Sequence, residues 1–473
     1  MLGEPIFFSL LVPARGGYTE GMRISLPAVA CLGLFAFPTV AQKKSPPRVH
    51  FTEHKLDNGL RIILVEDHAA PVISVCVTYN VGSRDEKPGH TGFAHLFEHM
   101  MFQGSENVGK GEHFVLVEKN GGSMNGTTSS DRTNYYQSLP ANQLELGLFL
   151  EADRMRSLAV TPANFENQRK TVKEERQQNY DNRAYGRTME ELHQLMYDGF
   201  AYKHSTIGSM ADLDLATVED ARAFFRTYYS PNNAVLTLVG DFLPAEALER
   251  IKHHYGAIPA QKPPPVPDMA EPAQEKERRS QLIDPLARLT RIDIAYKIPP
   301  GQTADVLALQ AVAAILGGGR SSRLHQAAVE EKQIAQSVGA YALERRGAGA
   351  LQISALLRPG HTTDEFEKLV YAEIERLTQP KSLEDWELDK VRAQARRRTA
   401  EQQRGSLSRA VAIGEYAVSY NDPDLINRRS DLVAKITRED LQRVTKKYLP
   451  ATNRTVLTTQ PPPAAAAPQG KPL

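Results

Sequence analysis

One unit occurs twice in this chain, and the duplication constrains the fold more than any other feature. Thr217 to Tyr229 has helical spacing and leads through Ser230-Pro231-Asn232-Asn233 into a β-rich run, Ala234 to Val239. Thr437 to Tyr448 has the same spacing and leads into Arg454 to Thr459. Both helices open on a Thr able to cap the first turn, followed by Glu-Asp (Glu219-Asp220, Glu439-Asp440) near the positive end of the helix dipole. Between the copies, residues 258–273 are rich in proline, with Pro263-Pro264-Pro265 at the centre. Such a stretch is extended and holds no core. The 473 residues are therefore expected to form two α+β halves of similar size, 42–257 and 281–459, joined by a linker at 258–280.

Within the first half, Asp57-Asn58-Gly59 marks a hairpin ahead of a strand from Leu60 to Val65. Val72 to Tyr79 reads as a buried strand, Thr91 to Phe102 as a helix, and Glu112 to Lys119 as a short helix ended by Gly121-Gly122. Ser123 to Thr128 and Thr133 to Ser138 read as paired strands, and Asn142 to Ser157 and Asn164 to Tyr180 as long helices. The second half repeats this grammar with strands at Arg291 to Lys297 and Ala350 to Leu356. Its helices are Ala304 to Leu316, Thr363 to Leu377 and Glu384 to Gln402. The tail 460–473, rich in proline and alanine, is expected to be disordered.

The N-terminus has the order of a secretory signal peptide. Met22-Arg23 precedes an apolar stretch, Ile24 to Val40, then small residues up to Ala41 and polar Gln42-Lys43-Lys44. Residues 1–41 are expected to be removed on export to a periplasm, with Met22 as an alternative start. A rival is a lipoprotein anchored through Cys31, after Ala28-Val29-Ala30. No other segment is long and apolar enough to span a bilayer, so no stable membrane insertion is expected. Processing leaves Cys76 alone, which excludes a disulfide within one mature chain and points to a buried thiol. With 57 Lys and Arg against 56 Asp and Glu, the net charge of +1 offers no single-sign field to recruit nucleic acid.

The chemistry concentrates in His95-Leu96-Phe97-Glu98-His99. On a helix, positions i and i+4 share a face, so both imidazoles reach one ion. Glu98, beside that face, can take a proton from the attacking water, whose pKa a catalytic zinc lowers to about 7. H-x-x-E-H is the inverted zincin order. A catalytic zinc takes three protein ligands, and the pair Glu174-Glu175 on a later helix offers the third.

The chain resembles the pitrilysin, insulinase and mitochondrial processing peptidase family from about residue 50 to residue 458. Besides the motif, the resemblance rests on Val81-Gly82-Ser83-Arg84-Asp85-Glu86, Met101-Phe102-Gln103-Gly104-Ser105, Gly121 to Thr128, Ser230 to Asn233 and Gly317 to Leu324. It implies a mainly antiparallel sheet packed by helices in each half, the two closing as a clamshell, and one Zn2+ per chain. In that family a Glu ligand follows the second His by seventy-odd residues; 175 − 99 = 76, which selects Glu175 over Glu174. The resemblance makes Ser123 to Thr128 an edge strand that pairs with an extended peptide, with Asn125, Gly126 and Thr127 as substrate-binding residues.

The chain also departs from the family. Self-sufficient members carry an Arg and a Tyr seven positions apart in the second half, where alignment here places Val329 and Gln336. Val329 has no side-chain donor for a developing oxyanion. The implied remedy is a heterodimer in which a related, zinc-free chain supplies the Arg and Tyr, unless Tyr341 or Arg345 substitutes. Gln168 stands where many relatives have Glu. The expected function is zinc-dependent hydrolysis of internal bonds in peptides or unfolded polypeptides. The alternatives are an inactive or chaperone-like assembly subunit retaining the zinc site, and a zinc hydrolase of nonpeptide substrates.

Overall fold

The computed structural model describes residues 48–463. The expected signal segment 1–41, Cys31 and most of the expected tail lie outside them. Eleven strands form two sheets within the described residues. The first takes β1 (Thr52–Lys55), β2 (Arg61–Glu66), β3 (Val72–Tyr79), β4 (Ser123–Thr128), β5 (Thr133–Pro140) and β6 (Ala234–Gly240). The second takes β7 (Arg278–Ile283), β8 (Arg291–Ile298), β9 (Ala335–Leu343), β10 (Gly349–Leu357) and β11 (Arg454–Gln460). The strand orders are β1-β2-β6-β3-β5-β4 and β7-β11-β8-β10-β9. Each sheet has one parallel pair, β2 with β6 and β7 with β11, and is otherwise antiparallel. Apart from β1 the two orders coincide strand for strand, so the internal repeat is structural.

The helices of the first half are α1 (Phe93–Met100), α2 (Glu112–Lys119), α3 (Leu144–Ser157), α4 (Pro162–Arg176), α5 (Thr188–Met196), α6 (Phe200–Lys203), α7 (Met210–Leu215), α8 (Val218–Tyr228) and α9 (Pro244–Tyr255). Those of the second are α10 (Ala304–Gly317), α11 (Thr363–Thr378), α12 (Asp385–Arg404), α13 (Ser406–Tyr420), α14 (Leu425–Ala434) and α15 (Arg438–Tyr448). The duplicated unit folds twice in the same way. Thr217 and Thr437 each accept from the amide of the Asp three residues on, and that Asp bonds back, a capping box at the start of α8 and α15. At the other end, Asn233 and Asn453 donate to the carbonyls of Tyr228 and Tyr448, at 2.8 and 2.7 Å.

Two expectations need adjustment. β7 begins at Arg278, inside the stretch read as linker; it is a polar edge strand, without the apolar alternation that marks a strand in sequence. Gln460, read as tail, ends β11 opposite Ile283.

The two sheets are not closed by their own helices alone. β3 and β6 are buried on both faces, which explains their almost unbroken apolar sequences. One face joins the first core with Leu96, Phe97 and Met100 of α1. The other is covered by α13 from the second half, where Ala410, Ile413 and Ala417 pack with Ile63, Cys76 and Val239. A Cβ on Gly414 would stand 2.6 Å from Thr78 Oγ1, so α13 lies almost on the strand. Reciprocally, Leu192 and Met196 of α5, with Tyr197 and Tyr202, pack with Ala295, Ala350 and Leu457 of the second sheet.

Candidate metal centre

α1 packs against α4. Its apolar residues Phe93, Leu96, Phe97 and Met100 enter the first core, which fixes the rotation of the helix and turns His95 and His99 toward α4. Thr161 caps the start of α4 by accepting from the Asn164 amide, and Pro162 follows at the first helical position. Along α4, Phe165, Gln168 and Val172 form a buried stripe. Glu175 extends that stripe by three residues and is partly buried, whereas Glu174 lies off it and is exposed.

The three expected ligands come together. Glu175 Oε2 lies 3.7 Å from His95 Nε2 and 3.3 Å from His99 Nε2. One ligand atom from each residue falls within 4.8 Å of the others. Tetrahedral zinc with bonds of about 2.0–2.2 Å separates its ligand atoms by about 3.4 Å, so the donor set fits the ion in both chemistry and spacing. His95 is 3% exposed. Burial, aided by the neighbouring His99, pushes its pKa down to about 3, which keeps the imidazole neutral as a ligand must be. Glu175 Oε1 is buried without a protein hydrogen-bond partner, a cost that a bound cation offsets.

Glu98 projects from α1 beneath β4. A Cβ on Gly126 would lie 3.2 Å from Glu98 Cγ and 3.1 Å from the Tyr135 ring, so glycine there is what lets the strand approach the helix. β4 is the edge of its sheet. Of the expected peptide-binding residues, Asn125 is exposed but turns its Oδ1 back to the Gly126 amide, at 2.8 Å. The Thr127 carbonyl and hydroxyl both accept from Arg132, at 3.0 and 2.6 Å. Two residues beneath the site escaped the sequence reading. Tyr135 donates its hydroxyl to the Phe97 carbonyl at 3.0 Å, bracing α1 next to Glu98, and Arg132 caps the strand edge. Tyr135 was detectable as an inward position of β5, but the Arg132 contact depends on the turn and left no mark in sequence.

In the second half, Val329 packs against the apolar core and Gln336 lies exposed on β9, the edge strand. Of the two candidate substitutes only Tyr341 is exposed, at 45%. Arg345 is buried, its guanidinium 5.1 and 4.7 Å from the rings of Tyr197 and Tyr202. Tyr341 donates its hydroxyl to Gln352 at 2.6 Å. Gln168 is buried and donates to Asn167 at 2.8 Å.

Two family profiles match the chain. The one described as Insulinase (Peptidase family M16) covers residues 61–209, and the one described as Peptidase M16 inactive domain covers residues 216–395. The zinc protease PqqE of Helicobacter pylori is 30% identical over 410 residues, spanning 86% of this chain and 92% of that one. The crystal structure of a protease from Helicobacter pylori has a TM-score of 0.83 at 29% identity, covering 87% of this chain and 100% of that one. The periplasmic protease PqqL from Escherichia coli shares the fold with a TM-score of 0.71 at 20% identity, over 88% of this chain and 48% of that one.

Proposed function

The chain is a member of the insulinase family of peptidases, family M16, and we propose that it is a zinc-dependent endopeptidase acting on extended peptides or unfolded polypeptides. Its paired α+β halves give the clamshell architecture of that family. The observation that carries the proposal is the meeting of His95, His99 and Glu175 one residue from Glu98 and beside an edge strand. The inactive-domain profile begins at residue 216, beyond all four of these residues.

When bound, Zn2+ supplies Lewis acidity, polarising the scissile carbonyl and lowering the pKa of the attacking water to about 7. His95 and His99 would hold it as neutral imidazoles and Glu175 would contribute one negative charge. Glu98 takes the proton from the water and delivers it to the leaving amide nitrogen. β4 aligns the peptide by strand addition, with Asn125, Gly126 and Thr127 along its backbone. For this the Asn125 side chain turns away from the Gly126 amide, which lies on the free edge of β4, toward the substrate.

The proposal includes a partner. Val329 and Gln336 stand where an Arg and a Tyr would help, and Arg345 is held between two tyrosines. A related, zinc-free chain would supply the missing pair. An exported, periplasmic location is part of the same proposal; it rests on the signal-like sequence and on likeness to periplasmic PqqL. Among the described residues no helix is long and apolar enough to cross a membrane. The test is cleavage of quenched fluorescent peptides by the purified mature chain, with and without chelator and with and without the candidate partner. Chelator-sensitive cleavage only with the partner is expected. Cleavage by the chain alone removes the partner from the account, and cleavage that survives chelation removes the zinc.

A further inference from the structure

The segment Gly82–Glu86 belongs neither to the metal site nor to the peptide strand, yet it grips the element that carries each. Its short turn Ser83–Asp85 is wholly buried although it carries two charges, and buried charges need partners. Arg84 donates to Asp131 Oδ1 at 2.9 Å and to Asn80 Oδ1 at 2.8 Å. Asp131 lies in the turn joining β4 to β5. It also accepts from the Tyr202 hydroxyl at 2.8 Å and from the Arg346 amide at 3.0 Å, so the second half holds the same carboxylate.

Two residues after Arg84, the fully buried carboxylate of Glu86 accepts from the amides of Gly92 and Ala94, at 2.9 and 2.8 Å. These are two of the unpaired donors at the start of α1. Gly92, with φ of 90°, has no side chain to cap them. Glu86 is therefore the cap of the metal helix, anchoring it one residue before His95. Glu86 is itself held by His204, whose Nε2 lies 3.0 Å from Glu86 Oε2 and 2.9 Å from the Ser83 carbonyl. His204 Nδ1 lies 3.0 Å from the Phe200 carbonyl. The two carbonyls only accept, so each ring nitrogen has an acceptor to donate to when His204 is protonated. Burial opposes that charge, but Glu86 and the two carbonyls outweigh it and raise the His204 pKa.

We propose that Gly82–Glu86 sets the register of the metal helix against the peptide strand, with Glu86 as the positioning residue for α1 and Arg84 as the positioning residue for β4. The roles of α1 and β4 in this proposal rest on the metallopeptidase reading above. The segment is short and buried, so it transmits the position of one element to the other with little slack.

The test measures two affinities on the full mature chain. Zinc affinity is read by competition with a fluorescent chelator. Peptide affinity is read by anisotropy of a labelled extended peptide in the zinc-loaded Glu98→Gln background. Glu86→Gln is expected to weaken zinc binding about 10–100-fold, as loss of a group orienting a ligand does. His204→Gln is expected to act in the same direction but less. Arg84→Lys, which keeps the charge and loses the fork, is expected to leave zinc affinity within about twofold and to weaken the peptide about tenfold. If Glu86→Gln does not fold, His204→Gln and Arg84→Lys carry the same comparison. General destabilisation would lower both affinities in every variant, and that pattern, or no change in either affinity, overturns the proposal. A wild-type chain that does not bind one zinc overturns the metallopeptidase reading and this inference together. Wild-type zinc binding with an unaffected Glu86→Gln overturns only the inference.

Discussion

Glu98, Glu174 and Glu175 are chemically identical, and only their positions separate their roles. Glu98→Gln removes a base while keeping the size of the side chain, so cleavage should fall about 10²–10⁴-fold with peptide affinity retained. Glu174→Gln should leave both metal and cleavage near wild type, since Glu174 points to solvent. A strong effect there, in kinetics or metal analysis, would move the third ligand. Buried His113 gives a pH prediction. Burial holds its pKa well below the ordinary histidine value, with Arg154 adding to the shift. The unfolded chain therefore binds a proton near pH 6.5 that the folded chain refuses, and His113 costs stability as pH falls below that value. Denaturant titrations of the metal-free protein between pH 6.5 and 5 should show His113→Gln losing up to about 1.4 kcal/mol per pH unit of that slope. An unchanged slope would mean that His113 titrates freely. The histidine pair was legible because helical spacing puts i and i+4 together. Glu175 was legible only through family spacing, because its buried stripe of Phe165, Gln168 and Val172 is broken by a polar residue.

The capped helices and the edge strand carry the predictions at the next scale. Thr217→Ala and Thr437→Ala each remove one capping box, and each should cost about 1 kcal/mol in denaturant unfolding. Near-equal losses are expected because the two caps are built alike. Gly126→Ala puts a methyl group against Glu98 and Tyr135. Zinc content should be unchanged while cleavage drops about tenfold or more, since small displacements of a catalytic group are costly. Wild-type turnover in that variant would mean that Glu98 does not work from beneath β4. Elements with an unbroken apolar run or a glycine-marked end were readable, and β3, α2 and β4 fall where the sequence puts them. β9 and α5 were missed. Ala335–Leu343 mixes small and polar residues on a mostly half-exposed strand, and α5 spends its apolar face on the other half's sheet.

For the molecule as a whole, the duplicated sequence suggests two independent bodies, but α13 and α5 cross over and tie them together. A proline-rich linker marks where the chain passes between sheets and says nothing about which helix covers which face. Residues 48–260 alone would expose Ile63, Cys76, Val235 and Val239, so that fragment should bind an apolar dye and aggregate. A soluble fragment with cooperative unfolding would show that α13 is dispensable to the first sheet. The same coupling gives the second half a purpose without a metal, since it buttresses the sheet whose edge faces Glu98. The most direct test of the central claim is titration of Zn2+ into the metal-free mature chain by calorimetry, comparing wild type with Glu98→Gln and Glu175→Gln. One site per chain, kept in Glu98→Gln and weakened in Glu175→Gln, is the result predicted. Loss of the site in Glu98→Gln, or full affinity in Glu175→Gln, would contradict the assignment of the base and the third ligand.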